Sequence, residues 1–140
     1  MAQILEFVTN HLMLVSAFCA VLMALLWALL RDLGSNAISP QQGIMLLNRE
    51  GAVPVDIRNA ASFRAGHIIN ALNFELTELN VSPSKLDKHK AQPLLLYCDT
   101  GVSSQKAVKH LTRAGFSRVH QLRGGLSAWR SENLPLEVSK

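Results

Sequence analysis

The sequence predicts an α/β domain, a parallel sheet with helices on both faces, preceded by one N-terminal transmembrane helix. Three observations carry this reading. Strand-length runs at Val53–Ile57, Leu94–Tyr97 and Arg118–Leu122 alternate with segments of helical pattern, and such alternation builds βαβ units. The run Leu94-Leu95-Leu96-Tyr97 is continuously apolar, as a buried strand is. The run Leu12–Leu30 holds no charged residue and is long enough to cross a bilayer core of about 30 Å.

The chain has 140 residues and is 49% hydrophobic. The apolar excess sits at the N-terminus, and the remainder has the size of one small domain, roughly 100 residues, that folds alone. The formal net charge is +4. The basic residues are scattered with no basic run and no interleaved aromatics, so nucleic acid is not expected as a partner. A mild positive field suits small anions or an anionic lipid surface. The two cysteines, Cys19 and Cys98, fall in different parts of the chain. No disulfide framework and no zinc spacing is present, so neither metal nor cofactor is expected. A free thiol in the domain fits a reducing compartment.

Residues 1–31 read as a membrane anchor. A buried core helix is a poor alternative, because a domain this small could hardly surround a helix apolar on all faces. A cleaved signal peptide is also disfavoured: Met1–His11 contains no Lys or Arg, and the apolar run is long for such a segment. Trp27 lies near one end and Arg31 follows the run. The positive flank places the C-terminal domain in the cytoplasm, with the chain a single-pass protein of the cytoplasmic membrane.

Residues 32–37 form a polar linker, 38–136 the domain and 137–140 a C-terminal tail. Ser39-Pro40 is a helix start, with Ser as N-cap and Pro at the first helical position, and Gly51 ends that helix. Val53–Ile57 is a buried strand followed by Arg58. Ala60–Ala65 is a short helical turn, and a loop from Gly66 runs into an extended piece near Asn73. Glu75–Leu79 is a brief helix. Ser82-Pro83 starts another, which ends near Lys88-His89-Lys90. After the strand Leu94–Tyr97, Ser103–Ala114 is a helix closed by Gly115. Arg118–Leu122 is a strand, Arg123-Gly124-Gly125 a turn and Leu126–Asn133 the last helix. Pro135 ends regular structure.

The stretch Leu94 to Ser104 organises the chain. An apolar strand ends on Cys98, a short loop with Gly101 follows, and a helix begins. A thiol there meets the free N–H groups and positive dipole end of the helix, which favour thiolate. Open α/β sheets also bind ligands at the carboxyl ends of their strands. The plainer reading of a lone cysteine after an apolar strand is an inert buried residue.

Four marks in order decide between them: VDIR at Val55–Arg58, F-x-x-GHI at Phe63–Ile68 with Ala71 and Asn73 following, C-x-x-G-x-S-S at Cys98–Ser104, and GG-x-x-AW at Gly124–Trp129. This pattern resembles the rhodanese (thiosulfate sulfurtransferase) family, over about Ile38 to Pro135. The whole chain looks like the single-domain, membrane-anchored members from bacteria. The resemblance implies a parallel five-stranded sheet. It also implies that Cys98 accepts a sulfane sulfur from thiosulfate or a persulfide and passes it to a thiol or protein acceptor. Asp99, Thr100, Gly101, Val102, Ser103 and Ser104 would form the loop that binds the persulfide. Backbone N–H groups would stabilise the sulfur, Gly101 would permit the tight turn, and Ser103 and Ser104 would donate hydroxyls or cap the helix.

Two departures from the family pattern bear on the donor. Ser103 stands where many members carry Arg, and Asp99 puts a carboxylate beside the sulfur. Both disfavour an anionic donor, and Asp99 also disfavours thiolate. Asp56 and Arg58 read chiefly as a pair bracing the loops, with anion attraction by Arg58 as the alternative. His67 reads as a hydrogen-bonded structural residue and Trp129 as core. A cysteine phosphatase or arsenate reductase would need an Arg in the loop to grip an oxyanion, and none is there. The competing class is an inactive module of the same fold that binds membrane-associated proteins.

Overall fold

The computed structural model describes residues 1–33 and 36–139. Gly34 and Ser35 of the expected linker, and Lys140 of the expected tail, lie outside the described residues. One compact unit precedes Asn36 and a second begins there. The first holds α1 (Ala2–Asn10) and α2 (Leu12–Leu33). Within α2, Leu12–Leu30 is long and apolar enough to cross a membrane, and none of it is buried.

The second unit holds a sheet of five parallel strands in the order β1-β5-β4-β2-β3. These are β1 (Ala37–Ile38), β2 (Val53–Asp56), β3 (Leu72–Asn73), β4 (Leu94–Tyr97) and β5 (Val119–Leu122). Five helices accompany them: α3 (Pro40–Glu50), α4 (Ala60–Ala65), α5 (Leu76–Val81), α6 (Val102–Arg113) and α7 (Gly125–Ser131). The α/β class and the parallel five-stranded sheet are as the sequence predicts.

β4 is central because it can be buried on both faces. Leu94, Leu95 and Leu96 are 1%, 0% and 0% exposed. Each contributes about 1.5–3 kcal/mol by leaving water. The strand's alternation sends Leu94, Leu96 and Cys98 into one cluster with Ala107, Val108 and Leu111 of α6. Leu95 and Tyr97 enter the other, with Leu126 and Trp129 of α7 and with Ile44 and Leu47 of α3. The cysteine is thereby aimed to the α6 side of the sheet.

Local signals set the helix ends. Ser39 accepts a hydrogen bond from the Gln42 N–H, and the Gln42 side chain accepts from the Ser39 N–H, a full capping box with Pro40 at the first position. Gly51 closes α3 in the left-handed conformation at φ +63°.

Four expectations are corrected. Ala37 belongs to β1, the fifth strand, rather than to a linker; two residues paired in parallel with Gln121 and Leu122 carry no pattern of their own. The segment after Ser82 is a 3₁₀ helix, Pro83–His89. α6 begins at Val102, not Ser103, since Gly101 is its N-cap. Pro135 does not end ordered pairing: His67 and Glu137 form an antiparallel bridge, and the Ser139 N–H reaches the Arg64 carbonyl. This bridge, with the His67 Nδ1 2.7 Å from the Phe63 carbonyl oxygen, gives His67 structural partners.

Candidate active site

The site sits at the carboxyl ends of β4 and β2. The two strands are parallel neighbours with Asp56 opposite Tyr97, so the residues that follow them emerge side by side. The Ile57 N–H extends the pairing to the Tyr97 carbonyl at 3.1 Å. Cys98, Asp99, Thr100 and Ser103 come from one strand end; Ile57, Arg58, Asn59 and Ser62 come from the other. With Leu76 of α5 they line a cleft of ≈330 Å³.

The Cys98 sulfur is held from behind. The Gly101 N–H donates to Sγ at 3.0 Å. Ser104, fully buried, lies with its hydroxyl 3.7 Å from Sγ and donates it to the Gly101 carbonyl at 3.0 Å. Burial pushes the Cys98 thiol up. The Ser104 backbone and side chain, with the N–H groups of Gly101 and Thr100, outweigh burial and bring the thiol below its ordinary value. Hydrogen bonds to the charged form have won over desolvation.

The loop can do this because Gly101 takes φ +93°. Its carbonyl also accepts from the Gln121 side chain. When the thiol ionises, the Ser104 hydroxyl is free to turn to the sulfur while Gln121 keeps that carbonyl paired. Ser104→Ala is therefore expected to lower the thiolate fraction at a fixed pH below the midpoint. Alkylation of Cys98 by iodoacetamide should slow about tenfold, the worth of one hydrogen bond to a charged acceptor. Its pH midpoint should move up; an unmoved midpoint would remove Ser104 from the account.

The Gly124-Gly125 turn is the floor of the loop. The Leu126 N–H donates to the Cys98 carbonyl at 2.8 Å and the Ser127 N–H to the Asp99 carbonyl at 3.0 Å. A Cβ on Gly125 would lie 2.5 Å from the Cys98 oxygen.

Beside the thiol stands an ion-pair network. Asp56 is fully buried; its carboxylate accepts from the Arg58 backbone N–H at 2.9 Å, from Nε at 3.0 Å and from Nη2 at 2.7 Å. Arg58 Nη2 also donates to the Gly66 carbonyl at 2.7 Å, and Nη1 donates to Asp99 Oδ1 at 3.1 Å. The Asn73 amide bridges the carbonyls of Asp56 and Arg58. Burial opposes the Arg58 charge, but Asp56 and then Asp99 outweigh it and hold the guanidinium above its ordinary value.

The structure thus gathers Cys98, Asp99, Thr100, Ser103, Asp56 and Arg58 at one end of the sheet. It separates the roles expected of the serines. Ser104 faces the sulfur; Ser103 lies on the cleft wall; neither caps α6, whose N-cap is Gly101 without a side-chain bond. Val102 points outward, 67% exposed. The Asp99 carboxylate turns to Arg58, with Oδ1 3.1 Å from Nη1.

Sequence reasoning missed Gln121 and the cleft walls Ile57, Asn59, Ser62 and Leu76. Asn59 did carry a signal, an Asn three residues before Ser62, whose N–H it caps at 2.8 Å. Gln121 carried none. Among the described residues no group of His, Cys, Asp and Glu is placed to hold a metal ion.

The model of the rhodanese-like domain matches residues 39–132. The chain belongs to the rhodanese-like family. It is 36% identical over 143 residues to the uncharacterized protein YibN of Escherichia coli strain K12, covering 100% of both chains. It is 34% identical over 103 residues to the thiosulfate sulfurtransferase GlpE of Coxiella burnetii strain RSA 493, covering 74% of this chain and 94% of that one. The crystal structure of the Alr3790 protein from Anabaena superposes with a TM-score of 0.65 at 25% identity, covering 73% of this chain and 80% of that one. Sulfur transfer is thus supported for this rhodanese-like protein at the level of its superfamily.

Proposed function

We propose that this protein is a sulfurtransferase in which Cys98 is the nucleophile and the loop Asp99–Ser104 binds the sulfur it carries. The observation that carries the reading is the Cys98 thiol held below its ordinary value by loop N–H groups and Ser104 while it lines an open cleft. An inert buried cysteine needs neither feature.

The chemistry is two displacements. The Cys98 thiolate attacks the outer, sulfane sulfur of the donor. A bond forms between Sγ and that sulfur, and the donor's S–S bond breaks. The leaving group carries off the electron pair as sulfite from thiosulfate, or as a thiolate from a persulfide. An acceptor thiolate then attacks the outer sulfur of the Cys98 persulfide, and Cys98 leaves as thiolate. Cys19, the other cysteine, lies on the apolar α2, so the acceptor is an external thiol or a protein.

The domain, which reaches back to Ala37 of β1 and on to Glu137, is tethered to the cytoplasmic membrane by the helix Leu12–Leu30 and lies on the cytoplasmic side. The N-terminal flank, which has no Lys or Arg, and Arg31 support this orientation.

Mass spectrometry of the full-length protein in detergent tests the reading, after separate incubation with thiosulfate and with a small persulfide. One sulfur added on Cys98 and removable by a thiol is the expected result. No adduct from either donor, in folded protein with a free thiol, would discard sulfur transfer and leave the inactive, membrane-tethered binding module.

A further inference from the structure

We infer that Asp99 sets the donor class of this site by occupying the outward nitrogen of Arg58, so that the cleft favours hydropersulfides over thiosulfate. The inference rests on the sulfur-transfer reading above and adds to it the identity of the donor and the residue that selects it.

Arg58 has five N–H donors. Nε and Nη2 are committed to Asp56 and to the Gly66 carbonyl, partners that the fold buries. Nη1 is different. Its partner is Asp99, whose side chain is 64% exposed at the cleft mouth. A donor's oxyanion would look for this nitrogen, the cation of the cleft lining, and a carboxylate of the same chain already takes one of its two N–H groups. The tether gives that carboxylate a high effective concentration, so a free anion competes at a disadvantage.

Charge makes the same choice. Arg58 and Asp99 are the charged residues lining the cleft, and with the buried Asp56 behind it Arg58 faces two carboxylates, so the group carries one net negative charge. Asn59, Ser62, Thr100 and Ser103 are neutral. Once Cys98 ionises, the site is more negative still. Thiosulfate arrives as a dianion and must approach that charge. A hydropersulfide, RS–SH, is uncharged in its electrophilic form. Its reaction balances: the Cys98 thiolate takes the SH sulfur, Cys98–S–SH forms, and RS⁻ departs.

The test measures rate constants for sulfur loading of Cys98 in the full-length protein, with thiosulfate and with the hydropersulfide of 2-mercaptoethanol. Wild type should prefer the hydropersulfide. Asp99→Ala should shift the ratio of the two constants toward thiosulfate by about tenfold or more, the scale of one charge-assisted hydrogen bond. Asp99→Asn, which keeps an acceptor but no charge, should fall between. The thiosulfate gain should shrink with added salt, as an attraction to an uncovered Arg58 must. The exposed position of Asp99 makes unfolding an unexpected outcome, and a melting curve of each variant checks it; should Asp99→Ala melt low, Asp99→Asn carries the comparison. An unchanged ratio, or a gain indifferent to salt, overturns the role of Asp99 and leaves sulfur transfer standing. Failure of wild type to load from either donor overturns the transfer reading itself.

Discussion

Cys98→Ser should abolish sulfur loading and turnover, with a fall of at least about 10³-fold to background. A serine oxygen at that place stays protonated at neutral pH and cannot carry a sulfane sulfur. The substitution is nearly isosteric at a position only 6% exposed, and Ser104 and the Gly101 N–H remain to pair with the hydroxyl. The melting temperature should therefore stay close to that of wild type, which separates lost chemistry from lost structure. The variant keeps Cys19, so any label left on it reports that thiol.

The wild-type pH profile completes the test. The folded thiol lies below its ordinary value. Loading should rise as Cys98 ionises and level off at a pH lower than a free cysteine requires. The stability sign follows from the same shift. Hydrogen bonds to the thiolate stabilise the fold above the unfolded thiol's pKa, and that contribution is lost as pH falls through the folded one. A midpoint at or above that of an unstructured cysteine would contradict the role given to the loop N–H groups.

Gly125→Ala is the second large effect. The added Cβ would stand 2.5 Å from the Cys98 oxygen and 2.7 Å from the carbonyl carbon and oxygen of Asp99. These are backbone atoms of the Cys98 loop and cannot swing aside as a side chain would. Residue 125 also holds φ +60°, which strains an alanine. Overpacking and strain together should cost about 2–5 kcal/mol. For a domain of this size, that is a fall in Tm of roughly 10 °C or more.

The chemistry should suffer separately. Relief of the clash pushes the loop off the Leu126 and Ser127 N–H groups and displaces Sγ. A shift of about 1 Å costs on the order of 10²-fold in rate. Gly51→Ala is the control. It too sits at positive φ, at +63°, but nothing lies within 4 Å of its Cβ. It should cost about 1 kcal/mol and leave sulfur loading intact. Equal melting of the two variants would mean that the turn does not press on the loop.

The sequence by itself determined what depends on local order. Leu94–Tyr97 is a strand in the structure at the bounds its apolar run marks, because a buried strand in a parallel sheet needs no alternation. Ser39-Pro40 and Gly51 bound α3, since a cap is chemistry between residues three or four apart. The candidate cysteine was legible for the same reason: strand, thiol, glycine and helix lie within one short stretch.

Only the tertiary structure decided what depends on neighbours far apart in the chain. β1 is two residues long and exists because β5 offers them an edge. Gln121 reaches the Gly101 carbonyl across 20 residues, and no pattern of its own marks it. Gly124-Gly125 announced a turn, but not that the turn lies under the Cys98 backbone. Asp99 is the plainest case. Beside a cysteine in the sequence it reads as a charge that raises the thiol. In the fold its carboxylate turns to Arg58, 41 residues away, and the loop N–H groups govern the sulfur. The sign of an electrostatic effect follows distances in space, and adjacency along the chain does not supply them.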